Sequence, residues 1–159
     1  MSLPRVGDPA PDFALRDDHG NVVRLTDFRG RPVVLYFYPK DDTPGCTTEA
    51  CGFRDAHADY RRNAIVVLGV SPDSEESHTK FRDKFALPFP LLVDAGHAIA
   101  TAYGVWGPKS FMGRSYEGVL RTTFLIGPDG RLLRIYENVK PEGHSQQILA
   151  DLLGGGAAA

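Results

Sequence analysis

The apolar positions of this chain fall into short blocks separated by turn residues. Val33-Val34-Leu35-Tyr36-Phe37-Tyr38 and Ala64-Ile65-Val66-Val67-Leu68-Gly69-Val70 are continuous apolar runs, rich in β-branched and aromatic residues. Runs of this length and composition predict strands buried on both faces. Between them, Thr43 to about Arg61 is long enough for a helix, with Ala50, Phe53, His57 and Tyr60 along one side. A further helix is expected to start at Asp73, with Glu76 three residues on as in a capping box, and to run through Phe81 and Phe85. Leu91-Leu92-Val93 reads as a short strand and His97 to Tyr103 as a short helix. Gly104 to Gly118 reads as a loop, and Ser145 to about Leu153 as the closing helix. Two pairs of apolar blocks bracket turn chemistry and predict β-hairpins. Phe13-Ala14-Leu15 and Val22-Val23-Arg24-Leu25 flank Asp18-His19-Gly20-Asn21, while Thr122–Ile126 and Leu132–Tyr136 flank Gly127-Pro128-Asp129-Gly130.

The order is therefore hairpin, β-α-β-α-β-α, hairpin, α. The βαβ units call for parallel central strands and the last hairpin adds antiparallel ones, giving an α/β protein with a mixed sheet flanked by helices on both faces. Ligand sites in such sheets lie beyond the carboxyl ends of the strands. The loop from Pro39 to Cys46 leaves the first long strand at that end.

Composition bounds this picture without redirecting it. The 159 residues suit one domain, expected over 1–153, and the low-complexity end Gly154–Ala159 reads as a flexible tail. A net charge of -2 gives no reason to expect nucleic acid or an anionic membrane as partner. No apolar run approaches the roughly 20 residues that span a bilayer, and the N-terminus lacks the features of a signal peptide. The five histidines form no i, i+4 pair and no Cys-x-x-Cys accompanies them, so neither a metal nor a cofactor is expected. Gly127–Gly130 is turn chemistry and not a phosphate loop.

Candidate chemistry rests on the two cysteines, Cys46 and Cys51, at the start of the first predicted helix. Two are too few for a secreted disulfide framework, which favours a cytoplasmic redox or catalytic use. A thiol at a helix start meets the positive end of the backbone dipole and unpaired N–H groups, both of which favour the reactive thiolate. A second cysteine nearby gives an oxidised first one something to condense with. On cysteine count alone, two buried apolar cysteines remain an equal reading.

The pattern Pro39-x-x-x-Thr43-x-x-Cys46 resembles the active-site motif of peroxiredoxins. With Cys51 five residues on, the stretch is similar to the bacterioferritin-comigratory, or peroxiredoxin Q, subfamily. The likeness extends over Gly7-Asp8-x-Ala10-Pro11-x-Phe13, Val70-Ser71-x-Asp73 and Arg121–Ile126, nearly the whole chain. It implies a thioredoxin-like fold and a thiol peroxidase acting on hydrogen peroxide and organic hydroperoxides. Cys46 corresponds to the peroxidatic cysteine, whose thiolate becomes a sulfenic acid, and Cys51 to the resolving cysteine that condenses with it. Residues i and i+5 of an ideal helix lie about 7.5 Å apart along the axis and about 140° around it. Their Cα atoms are then about 8 to 9 Å apart, beyond the reach of about 7 Å for a disulfide. A Cys46–Cys51 bond thus requires the helix start to unwind, and low local stability is expected there.

Thr43 corresponds to the motif threonine that donates to thiolate and peroxide, although threonine also serves as a helix N-cap. Pro39 corresponds to the residue that shields the thiolate, and also reads as a simple strand stop. Arg121 corresponds to the family's arginine, a fixed cation beside the thiolate; by residue type alone a strand-edge arginine is solvated. Glu49 corresponds to an acid that orients that arginine, or is an exposed carboxylate near the helix N-terminus. Trp106, Phe111 and Met112 form a candidate collar for alkyl groups of the substrate, or pack on the core. The expected partners are a peroxide and a dithiol reductant such as thioredoxin, and an intramolecular resolving pair removes one need for a dimer, so a monomer is expected. Two other readings use the same residues. One is a thiol–disulfide oxidoreductase, against which the spacing differs from Cys-x-x-Cys. The other is a redox sensor or holdase that exposes the unwound helix.

Overall fold

The computed structural model describes residues 3–154; residues 155–159, most of the expected tail, lie outside the described residues. The first hairpin pairs β1 (Ala14–Arg16) with β2 (Val22–Arg24). The central sheet contains β3 (Val33–Phe37), β4 (Val66–Ser71), β5 (Leu91–Val93), β8 (Thr122–Ile126) and β9 (Leu132–Tyr136), in the spatial order β5-β4-β3-β8-β9. β3, β4 and β5 are parallel, whereas β8 runs antiparallel to β3 and β9 antiparallel to β8. The expected mixed sheet is present.

Every residue of β3 and β8 is buried, the Thr122 and Thr123 hydroxyls of β8 being hydrogen-bonded within the protein. Alternation then divides the core into two layers. Val33, Leu35 and Phe37 face one side with Leu68, Val70, Phe124 and Ile126, covered by α4 (Ala98–Ala102) through Ala100 and by Phe13, Leu25 and Tyr103. Val34 and Tyr36 face the other side with Val67, Leu91 and Leu125. That side is covered by α1 (Pro44–Asp55), α2 (His57–Arg62), α3 (Glu75–Phe85) and α5 (His144–Leu149).

Four expectations need correction. The helix foreseen over Thr43 to Arg61 is interrupted at Ala56, whose φ of -90° and ψ of 0° leave the helical region, so it forms α1 and α2. The third helix is capped by Ser74, whose hydroxyl accepts from the Ser77 N–H at 3.1 Å, because the Asp73 carboxylate is engaged elsewhere. The loop foreseen over Gly104 to Gly118 is an antiparallel ribbon, β6 (Trp106–Phe111) with β7 (Arg114–Val119), turning at Met112 and Gly113, both with positive φ. The closing helix ends as α5 at Leu149 and continues as a π-helical turn, Ala150–Gly154.

Sheet register decides what meets at the carboxyl edge of β3. In the antiparallel pair Phe37 lies opposite Thr122, so the residue before β8 stands beside the residue after β3. Arg121 is thereby delivered to the start of α1, the helix that carries the cysteines. On the other flank, Tyr38 N–H donates to the Val70 carbonyl at 3.0 Å, bringing Ser71 and Asp73 to the same edge.

Gly69 sits where β4 passes under the Tyr36 ring. A Cβ there would lie 2.9 Å from Tyr36 Cζ and from Leu91 Cδ2, both fully buried. Gly69→Ala is expected to cost about 1–3 kcal/mol of stability through overpacking, read as a lowered urea midpoint at unchanged slope.

Candidate active site

Chain direction and register bring together three of the predicted residues, Cys46, Glu49 and Arg121. Cys46 occupies the third position of α1, after Pro44 and Gly45, and is 1% exposed. Proline fits the first helical position because no helical bond is lost there. The first helical bond is Thr47 N–H to the Thr43 carbonyl, 2.8 Å. Arg121 Nη2 donates to Cys46 Sγ at 3.3 Å and Nη1 donates to Glu49 Oε1 at 2.6 Å. Cys46 and Glu49 are three apart on one helix face, so a single guanidinium spans both. Arg121 is thus a partly buried cation bonded to two groups, and not the solvated strand-edge residue its type alone suggests. Its backbone is fixed as well, since its carbonyl accepts from Val139 N–H at 3.1 Å.

Glu49 is also buried, with Oε2 lacking a partner. Burial raises its carboxyl to about 7, against the opposing charge and hydrogen bond of Arg121. Burial also pulls Arg121 down, but the charges of Glu49 and Cys46 and its hydrogen bonds to them leave it raised.

Pro39 and Thr43 stand in the wall of a cleft of about 410 Å³ shared with Lys40, Pro72, Trp106, Lys109, Tyr116 and Val119. Thr43 is the N-cap residue of α1, yet its hydroxyl donates to the Lys40 carbonyl at 2.8 Å and caps nothing. That bond closes the loop on itself and sets Thr43 at the cleft. The Trp106 indole forms another part of the wall. It stacks flat on His97, with ring centroids 3.8 Å apart and planes 2° apart. Phe111 and Met112 do not line this cleft. They sit at the ribbon tip, 65% and 88% exposed, because β6 runs outward from Trp106. The collar foreseen from three residues reduces to Trp106, with Tyr116 and Val119 supplied by β7. Cys51 lies on α1, half-buried, and both cysteines are free thiols.

Two residues at this edge escaped the sequence reading. Asp41 and His78 are buried and hydrogen-bonded at 2.7 Å, and with Asp73 they bring three potential ligand atoms within 4.8 Å of one another. The one signal was an aspartate between Pro39 and Thr43 in a loop otherwise made for the cleft.

The comparisons agree with this arrangement. Residues 6–135 match the model of the AhpC/TSA family. The chain is 50% identical over 147 residues to Peroxiredoxin Bcp of Bacillus subtilis (strain 168), covering 92% of this chain and 94% of that protein. It superimposes on a cysteine-to-serine mutant of Xylella fastidiosa PrxQ with a TM-score of 0.91 at 33% identity, over 98% of this chain and 99% of that one. A Xanthomonas campestris bacterioferritin comigratory protein, studied for its alkyl peroxide reduction activity, gives 0.85 at 36% identity over 90% and 91%. The chain belongs to the AhpC/TSA family and, within it, to the peroxiredoxins of the Bcp, or Q, type, with their thioredoxin-like fold.

The raised carboxyl of Glu49 has a definite sign. The native state holds this proton up to about pH 7, while an unfolded glutamate releases it near 4.5. Native Glu49 therefore loses stability as pH rises between those values. Urea titrations should find the wild type losing about 3 kcal/mol relative to Glu49→Gln between about pH 5 and about pH 8. A pH-independent difference between the two proteins would contradict the assignment.

Proposed function

We infer that the chain is a thiol-dependent peroxidase in which Cys46 attacks the peroxide and Cys51 resolves the product. The observation that carries this reading is the Arg121 guanidinium held 3.3 Å from Cys46 Sγ by its ion pair with Glu49. A fixed cation there stabilises negative charge as the O–O bond breaks. The thiolate takes one peroxide oxygen, becoming sulfenic acid, and the leaving alkoxide or hydroxide takes a proton to give alcohol or water. The Cys51 sulfur then displaces that hydroxyl as water and forms a disulfide. An external dithiol, thioredoxin in our reading, reduces it by two electrons. No cofactor enters the balance.

Thr43 and Pro39 border the approach, and Trp106 gives the cleft an apolar wall suited to organic hydroperoxides. The activity reported for the Xanthomonas relative supports that substrate class. Both cysteines belong to α1, so closure of the disulfide requires its first turns to unwind. The Xanthomonas protein has been solved with either of two cysteines replaced by serine, and their spacing is much wider than five residues. The resolving role of Cys51 therefore rests on its being this chain's only other cysteine. Among the described residues no helix is long and apolar enough to cross a membrane. We place the activity in one domain over 1–153, working as a cytoplasmic monomer.

Peptide mapping without reductant, after one equivalent of peroxide, should recover a Cys46–Cys51 linkage within one chain. Stopped-flow measurements should show fast loss of one thiol in the wild type and in Cys51→Ser, and none in Cys46→Ser. Cys51→Ser should also fail to turn over with thioredoxin. Equal thiol loss in Cys46→Ser would overturn the peroxidatic assignment, and a linkage between chains would overturn the resolving one.

A further inference from the structure

Asp41 lies midway between Pro39 and Thr43, yet its carboxylate is turned onto α3. Oδ1 accepts from the Tyr38 hydroxyl at 2.5 Å, and Oδ2 accepts from the Ser77 hydroxyl at 2.8 Å and lies 2.7 Å from His78 Nδ1. Its own N–H donates to Asp73 Oδ2 at 2.7 Å, which also accepts from Ser71 Oγ at 2.7 Å. The other ring nitrogen of His78, Nε2, is 2.8 Å from the Leu92 carbonyl of β5. His78 has no solvent exposure.

Counting donors sets the charge of this ring. A neutral imidazole carries one N–H and one lone pair. The Leu92 carbonyl can only accept, so Nε2 must donate. The proton between Nδ1 and Asp41 belongs to the ring, because imidazole holds a proton more tightly than a carboxylate by about 2.6 pK units. The Asp41 carboxylate also accepts from the Tyr38 and Ser77 hydroxyls, so it meets the ring as an acceptor. A buried imidazolium and a buried carboxylate therefore face each other under the active-site loop.

We propose that charged His78 is a positioning residue for peroxide reduction, gripping Asp41 so that Pro39 and Thr43 stay in place at the cleft while Cys46 reacts. The proposal rests on the peroxidase reading given above. Burial works against the charged ring, but the hydrogen bond and charge of Asp41, the Leu92 carbonyl and the charge of Asp73 leave His78 raised above 6.5. The titratable groups facing the ring are Tyr38 and Asp41 from β3 and its loop and Asp73 from the segment entering α3, while β5 presents a carbonyl. Losing the proton leaves two acceptors competing for one N–H, and the loop's grip weakens. The sign follows: positioning is complete below about 6.5 and is lost as pH rises through the raised value. A metal among Asp41, Asp73 and His78 would have to displace donors already bonded to both carboxylates, so here the proton supplies the positive charge.

The test combines kinetics with spectroscopy. In wild-type protein carrying ¹⁵N-histidine, both ring nitrogens of His78 should resonate as protonated at about neutral pH, assigned by their loss in His78→Gln. The second-order rate with hydrogen peroxide should fall on the alkaline side at the pH where those resonances titrate. His78→Gln should react about tenfold more slowly, as for a displaced positioning group, and its profile should lack that limb. A neutral His78 at about pH 7, or a His78→Gln rate and profile matching wild type, would overturn the proposal. If His78→Gln does not fold, the coincidence of the wild-type titration with the wild-type alkaline limb decides the matter. Absence of any fast wild-type thiol loss would instead refute the peroxidase reading.

Discussion

The site depends on one guanidinium. Arg121 carries a single positive charge and places it between Cys46 Sγ and Glu49 Oε1, both on α1. Its position is a consequence of register, since β8 pairs antiparallel with β3 and starts where β3 ends. The close approach also demands a small residue in the helix. A Cβ on Gly45 would lie 3.2 Å from Arg121 Nη2 and 3.5 Å from Pro141 Cγ. Glycine weakens a helix, and here it lets the arginine and the 137–143 segment close over the first turn.

One cation serving two acidic groups sets the electrostatics. Glu49 is buried and half-satisfied, so its carboxyl sits far above the ordinary glutamate value even with Arg121 beside it. In the proposed cycle the thiolate loses its charge on oxidation, leaving Arg121 to Glu49 alone. The reaction thus removes one of the attractions that hold the first turn of α1 in place. Farther along, Phe53 packs against Tyr36 and Tyr60, and Tyr60 donates to the Ser145 carbonyl of α5. That half of the helix is held by apolar burial, which oxidation does not touch.

What was legible in the sequence divides along physical lines. The β3 strand and most of β4 announced themselves because burial on both faces leaves little room for polar residues, and β8 and β9 through the Gly127–Gly130 turn between them. The β6–β7 ribbon did not. It stands away from the sheet, most of its residues are exposed or half-exposed, and Trp106-Gly107-Pro108-Lys109-Ser110-Phe111 shows no alternation. The break at Ala56 and the shift of the α3 cap to Ser74 are matters of a residue or two that patterning does not resolve. Pro39 and Thr43 in the loop and Cys46 and Cys51 on the helix it enters are neighbours in sequence and could be read together. Arg121 could be tied to them only through a family resemblance, because its contact with Cys46 spans 75 residues. Asp41 and His78, 37 residues apart, had no such guide. Their meeting follows from the parallel register of β3 and β4, which polar residues in loops do not advertise.

The active-site segment joins two elements of opposite character at residues 43 and 44. Upstream, Pro39 to Thr43 is tied down by the Asp41 carboxylate, the Asp41 N–H and the Thr43 hydroxyl, each bonded within the protein. Downstream, α1 opens with Pro44 and Gly45, a residue without an N–H and one with the greatest backbone freedom. Its first turn is held by the Thr47 N–H to the Thr43 carbonyl and by the Thr48 hydroxyl to the Pro44 carbonyl. Hydrogen bonds of this kind contribute about 1 kcal/mol each, little beside the buried contacts of Phe53. A peroxidase with an intramolecular resolving cysteine needs a rigid wall to receive the peroxide and a helix end that yields afterwards. The change of character at Thr43 and Pro44 allows both, because the turn that must open carries few of the bonds that shape the cleft.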